Sequence, residues 1–431
     1  MTSDRGERPR HGRGGPHTPR NTNPEESGAS IPMTRSTRPG RAATGAALPV
    51  LLSAGLLLTA CGAQGGTTTE QGEEGRAAAE AVAENPVVTT YDGGLYVLDG
   101  QTLEVVRDIP LEGFNRINPV GDDRHVMVSA SEGFRVLDAA GGGELTDTVF
   151  PAEAPGHVVR HGGRTVLFDD GSGEVTAFDS DALGDGTPET DVHTAAAPHH
   201  GVAVELTNGE LLLTLGTEEE RVGAVVLDAD GHEVARSEEC PGVHGESTAE
   251  GEAVVIGCED GVLIYQGGEF TKVDSPDGYG RIGNQAGSEE SPIVLGDYKT
   301  DPEAELERPE RVSLVDTTDG GLTLVDLPSS YTFRSLGRGP GGEALVLGTD
   351  GRLHVIDPEA GEVVDSIEVM DGWREPLEWQ QPRPALFVRG GTAYVSDPAT
   401  RQVHSLDLES GEVTTSVTLD EAPNELSGVA H

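Results

Sequence analysis

Eight short segments of this chain share one pattern, and that pattern restricts the folds open to it. They are GLYVLD (94–99), GFRVLD (133–138), EVTAFD (174–179), GAVVLD (223–228), GVLIY (261–265), RVSLVD (311–316), RLHVID (352–357) and QVHSLD (402–407). Each is a β-rich run, and all but GVLIY close on Asp. Turns such as Asp357-Pro-Glu-Ala-Gly and Asp407-Leu-Glu-Ser-Gly follow. Successive copies fall about 40–50 residues apart, the spacing of a four-stranded repeat unit. One such unit cannot bury both of its faces alone, whereas a ring of units buries them against each other and leaves only short edges. The pattern therefore predicts an all-β β-propeller of seven or eight four-stranded blades, with eight favoured by the repeat count. The segment near the C-terminus is expected to complete a blade begun near residue 88. A β-sandwich or a pair of β-domains is the competing architecture.

The propeller is assigned to residues 87–431, because the texture before it differs. Residues 42–60 (AATGAALPVLLSAGLLLTA) form an apolar run without a charge, preceded by Arg35, Arg38 and Arg41 and followed by Cys61. A basic region, an apolar core and small residues before a cysteine make a lipoprotein signal peptide. A transmembrane helix is the competing reading, but the run contains Gly and Pro and is marginal in length. Met33 starts a normal basic region, so it is the expected translation start, with residues 1–32 dispensable. Residues 1–60 are then an upstream stretch plus signal, Cys61 the lipidated residue, and 61–86 a flexible acidic linker. The expected location is the outer face of the cytoplasmic membrane, a periplasmic or extracellular setting, held by the lipid alone.

Net charge is −46 for the whole chain. The first 60 residues carry eight Arg and only four acids, so the remainder is more acidic still, at about −50. Such a surface repels phosphate backbones and argues against nucleic acid as a partner. Two cysteines remain after Cys61. Outside the cytoplasm the pair Cys240 and Cys258 reads as a disulfide, with a Cys–Cys metal site as the second possibility.

Eleven histidines follow the signal, and seven of them lie between 157 and 244. His157, His199-His200 and His244 each follow a Pro or Gly turn. Each also precedes an apolar run (RTVLF, VAVEL, AVVIG). If those runs line the axial channel, three consecutive blades offer imidazoles to one channel mouth. Zinc takes three or four N or O ligands in a tetrahedral array, and imidazole is neutral at ordinary pH. His161, Glu246 and Asp169 are candidates for a further ligand or an orienting group. His193 carries no such phasing. His232 reads as solvated in a turn, and His354 and His404 as outward-facing residues of strands. Trp373 and Trp379 read as packing residues. Asp179 to Gly186 has the rhythm of a calcium loop without its closing glutamate.

No GxSxG, HExxH or GxxxxGK[ST] motif occurs, so the chain is not expected to be an enzyme. Its many carboxylates leave a paired-carboxylate glycosidase open by inspection. Only 17 aromatics leave little for sugar stacking.

Three segments carry a resemblance: Pro198-His199-His200-Gly201, Cys240-Pro-Gly-Val-His244-Gly-Glu246, and Gly257-Cys258-Glu-Asp-Gly-Val-Leu263. They resemble the AztD family of zinc metallochaperones, exported propellers that pass zinc to the solute-binding protein of an ABC importer. Outside roughly 150–270 only the blade pattern matches. The resemblance implies His199, His200 and His244 as zinc ligands, a structural Cys240–Cys258 pair, and a monomer that serves a zinc-specific solute-binding protein. Some members carry a His-rich N-terminal segment, whereas residues 62–86 here contain no His. A metal-free scaffold that binds a protein or cell-wall component is the alternative function.

Overall fold

The eight repeats are the third strands of eight four-stranded antiparallel sheets in the computed structural model, which describes residues 83–430. Each sheet is one blade. Seven of them run inner, second, third and outer strand in chain order, as in Pro155–His161, Arg164–Asp169, Glu174–Asp179 and Asp191–Thr194. The remaining blade closes the ring. Its inner strand, Leu426–Gly428, comes from the C-terminal end and pairs antiparallel with Val87–Tyr91, Val87 opposite Gly428 and Thr89 opposite Leu426. Counting this closing blade as the first, the fold is an eight-bladed β-propeller.

The burial pattern explains why these segments repeat. Second and third strands are covered on both faces by neighbouring blades. Ala253–Cys258 is buried at every position, and Gly261–Gln266 at all but the last. One cluster joins Val166, Phe168, Val175 and Ala177 of the third blade to Leu211, Leu213 and Val225 of the fourth. Each such side chain contributes about 1.5–3 kcal/mol when fully buried. The closing Asp of the third strand has its own cause. Asp99 accepts from the amides of Gln101 and Thr102, Asp138 from Gly141, Asp357 from Glu359 and Ala360, and Asp407 from Ser410. The carboxylate thus folds the turn to the outer strand.

His354 and His404 do not face outward. Both are buried in third strands, with Nδ1 on Ser366 Oγ at 2.8 Å and on Ser416 Oγ at 2.7 Å. Alternation misleads here because a third strand has no solvent face. Trp373 packs with Nε1 on the Gly348 carbonyl, but Trp379 is 51% exposed, edge-on to Phe114.

Strand direction sorts the loops. Turns between second and third strands, and connections from one blade to the next, lie on one face of the ring. Turns inside the other two strand pairs lie on the opposite face, where the chain also enters at Val87. Cys240 and Cys258 form a disulfide, both residues buried with Cα atoms 4.9 Å apart. The bond ties the connection into the fifth blade to that blade's second strand. The signal, Cys61 and most of the linker lie outside the described residues.

Candidate metal centre at the channel mouth

Three histidines from consecutive blades meet on the face that carries the blade-to-blade connections. His157 lies in the inner strand of the third blade. His200 lies in the connection leading into Ala203–Glu205, the inner strand of the fourth. His244 opens the inner strand of the fifth, His244–Ala249. Each offers one ring nitrogen, and these atoms all lie within 4.8 Å of one another. VAVEL contains the inner strand Ala203–Glu205, as expected, but the other two runs do not line the axis. RTVLF and AVVIG are second strands, and the strands lining the axis contain His157 and His244. An inner strand pairs on one side only and borders the axis, and in these two blades it is mostly half-buried. The apolar run belongs one strand further out.

Local backbone aims the rings. The pairing of His244–Ala249 with its neighbour slips between His244 and Glu246, and a second slip falls between Pro155 and Val158. Such bulges re-aim side chains. Gly245 has φ +73°, and a Cβ there would come within 2.5 Å of the Gly283 carbonyl, so only glycine fits. Gly156 is constrained similarly, since a Cβ would collide with the Asp170 carboxylate.

Hydrogen bonds fix the tautomers. His244 Nδ1 lies 2.6 Å from the Gly283 carbonyl oxygen, which can only accept, so Nδ1 carries the proton. His200 Nδ1 lies 2.5 Å from Asp170 Oδ2 and donates in the same way. Both Nε2 atoms therefore present lone pairs, and they face each other at 3.2 Å. Two lone pairs at that distance need a cation between them. On His244 and His157 a proton is disfavoured. Burial, followed by His200, Arg281 and Arg221, outweighs the Gly283 hydrogen bond and holds His244 down at about 4. Burial, His244, His200, Arg116 and Arg221 hold His157 well below the ordinary imidazole value. A metal ion with bonds of about 2 Å in tetrahedral array spaces its ligands by about 3.3 Å, close to the gap seen.

Glu246 lies beneath the trio, its Oε2 3.8 Å from His157 Nδ1. Burial pushes its carboxyl up to about 8. It also lines an axial cavity of about 590 Å³ with Arg160, Ser247, Thr248 and Gln285. His200 is 43% exposed, so the mouth is open from outside.

The other candidates are engaged elsewhere. His199 is buried, with Nδ1 at 2.9 Å from the Ala197 carbonyl, Nε2 at 2.9 Å from Thr214 Oγ1, and its ring against Phe168. His161 Nε2 pairs with Glu252 Oε1 at 2.9 Å. Asp169 accepts from the amides of Glu153 and Ala154 and from Ser172 Oγ, and so organises its turn. His193 sits on the outer strand Asp191–Thr194, and His232 lies exposed beside Asp228 in a turn on the opposite face. The residue that orients His200 is Asp170, one position beyond the one singled out from sequence. Gly283 was equally unforeseen. No sequence signal marked either, because each reaches the site from a loop of another blade.

No protein-family model matches the chain. The zinc chaperone AztD of Citrobacter koseri is 28% identical over 279 residues, which cover 62% of this chain. The chain is similar to AztD. It spans 64% of that relative's length. The structure of apo AztD from Citrobacter koseri aligns with a TM-score of 0.70 at 22% identity, over 80% of this chain and 96% of AztD. The dihydro-heme d1 dehydrogenase NirN, in complex with DHE, aligns with a TM-score of 0.57 at 15% identity, over 80% of this chain and 76% of its own. At such identities these structures show the shared propeller fold, and the likeness to AztD adds a zinc-related chaperone to the comparison.

Proposed function

We propose that this protein is an extracytoplasmic zinc metallochaperone that holds zinc on His157, His200 and His244 and delivers it to the solute-binding protein of an ABC zinc importer. The observation that carries this reading is the pair of facing Nε2 lone pairs, each fixed by an acceptor behind its ring. Similarity to AztD supports zinc as the cargo. Three protein ligands leave a fourth position open, which suits transfer to another protein better than permanent storage. His200 is the exposed ligand and exchanges first. His157 and His244 keep hold until a second ligand from the acceptor arrives. Glu246 is the reserve fourth ligand, and a bound cation displaces its proton. His199 serves the fold by joining Thr214 to the connection that carries His200. Export as a Cys61-anchored lipoprotein places such a carrier where an importer's binding protein meets it.

Metal analysis after zinc loading and dialysis tests the reading. One zinc per propeller is expected, and His200→Ala and His244→Ala should each lose it. A wild-type protein that retains none leaves the metal-free scaffold as the better account.

A further inference from the structure

The metal mouth of this strongly acidic chain is ringed by guanidinium groups. Arg116 opens the inner strand of the second blade, Arg116–Pro119, beside the blade of His157. Arg221 and Arg281 pack on the turn before His244. The Arg221 carbonyl accepts from the Gly242 amide at 2.8 Å, and Arg281 Nη1 contacts the Gly242 carbonyl at 3.4 Å. Their charges reach the site, since Arg116 acts on His157, Arg281 on His244, and Arg221 on both.

These groups are incompletely matched. Among the described residues, Arg221 Nη1 is buried with no hydrogen-bond partner, and so is Arg116 Nε. The nearest carboxylate to Arg116 is Glu425, 3.6 Å away and already bound to Arg334 at 2.5 Å. Glu259 stands 3.8 Å from Arg281, and Asp170 is committed to His200. A divalent cation adds two charges to a mouth where Asp170, Glu259 and Glu425 are already paired. Guanidinium groups beside a cation site are costly unless an anion joins them. They are also the donors that best match a carboxylate.

We propose that the mouth binds a carboxylate together with zinc, one oxygen filling the open position on the metal while Arg116 and Arg221 hold its charge. This rests on the zinc reading above and names the chemistry of the fourth ligand: an acidic side chain of the acceptor protein, or a small free carboxylate. Binding is then reciprocal, each ligand strengthening the other by the same factor.

The test is zinc affinity by chelator competition, with and without acetate, at ionic strength balanced by perchlorate. Acetate should tighten zinc binding by about fivefold or more, the lower end of ordinary coupling between two ligands. The gain should vanish in Arg116→Gln, which alters a partly exposed side chain, and in Arg221→Gln. A capped glutamate tripeptide that acts at lower concentration than acetate assigns the ligand to a protein side chain. Equal potency assigns it to a free carboxylate. One zinc bound with no response to either probe overturns this proposal alone, as does a gain that persists without the arginines. A gain that appears only in Glu246→Gln overturns it as well, because Glu246 then fills the position. Failure to bind zinc at all removes both proposals.

Discussion

At the scale of single residues, the site depends on what stands behind each ring. Asp170 is the clearest case. It accepts a hydrogen bond from His200 Nδ1 and so turns the Nε2 lone pair toward His244. Asp170→Asn should weaken zinc about 10–100-fold, the usual effect of removing a partner that orients a metal ligand. The fold should persist, and isothermal titration beside thermal melting separates the two effects. His199→Ala should behave in the opposite way. Losing two buried hydrogen bonds and the contact with Phe168 costs about 1–3 kcal/mol, read by denaturant titration, while the zinc count stays at one. A zinc-free His199→Ala protein that melts like wild type would reverse these roles. Sequence could select the neighbourhood of His199 and His200 but not choose between them. Adjacent residues point to opposite sides, and the connection between blades has no periodicity from which to read the side.

Elements explain why some strands were legible and others were not. Third strands carry two signals at once, apolar burial on both faces and a terminal Asp that folds the next turn. Inner strands carry neither. Arg116–Pro119 and Gln285–Ser288 are short and half-buried, with one edge toward the axis. They escape any hydrophobic template, although they position the site. The disulfide acts at this scale too. It anchors the connection that delivers His244, and closing a loop of its 18-residue separation adds about 3 kcal/mol. Cys258→Ser should lower unfolding stability by about that amount in denaturant titration and weaken zinc modestly. An unchanged midpoint would show that the bond does not constrain the unfolded chain.

For the whole molecule, ring closure and charge decide stability. Asp99 and Asp169 illustrate the acid response. Burial raises each carboxyl, but hydrogen bonds outweigh it, from Thr102, Glu84 and Gln101 on one and from Ser172, Ala154, Glu153 and Gly171 on the other. Both end below the ordinary aspartate value. Groups of that kind contribute stability above the unfolded pKa of about 3.9, and the contribution is lost as pH falls through the folded value. Glu246 runs in the opposite sense. Raised to about 8, it favours the folded state increasingly as pH falls, and its contribution is complete by about pH 4.3. It therefore cannot offset the aspartates below that point. The melting temperature of the metal-free protein should fall steeply below about pH 4, and a flat profile there would show that the turn carboxylates do not support the ring.

The sequence by itself determined the ring: the repeat, the blade closed from both ends of the domain, and the reading of Cys240 with Cys258. Each follows from local patterning or from chemistry between two residues of one type. It also brought His157, His200 and His244 onto one face, because all three occupy related places in successive repeats. Tertiary structure alone decided which nitrogens meet, that Asp170 and the Gly283 carbonyl set the tautomers, and that His199 turns inward. Those facts depend on bulges, loop paths and contacts between blades, where residues distant in sequence meet at distances no spacing along the chain encodes.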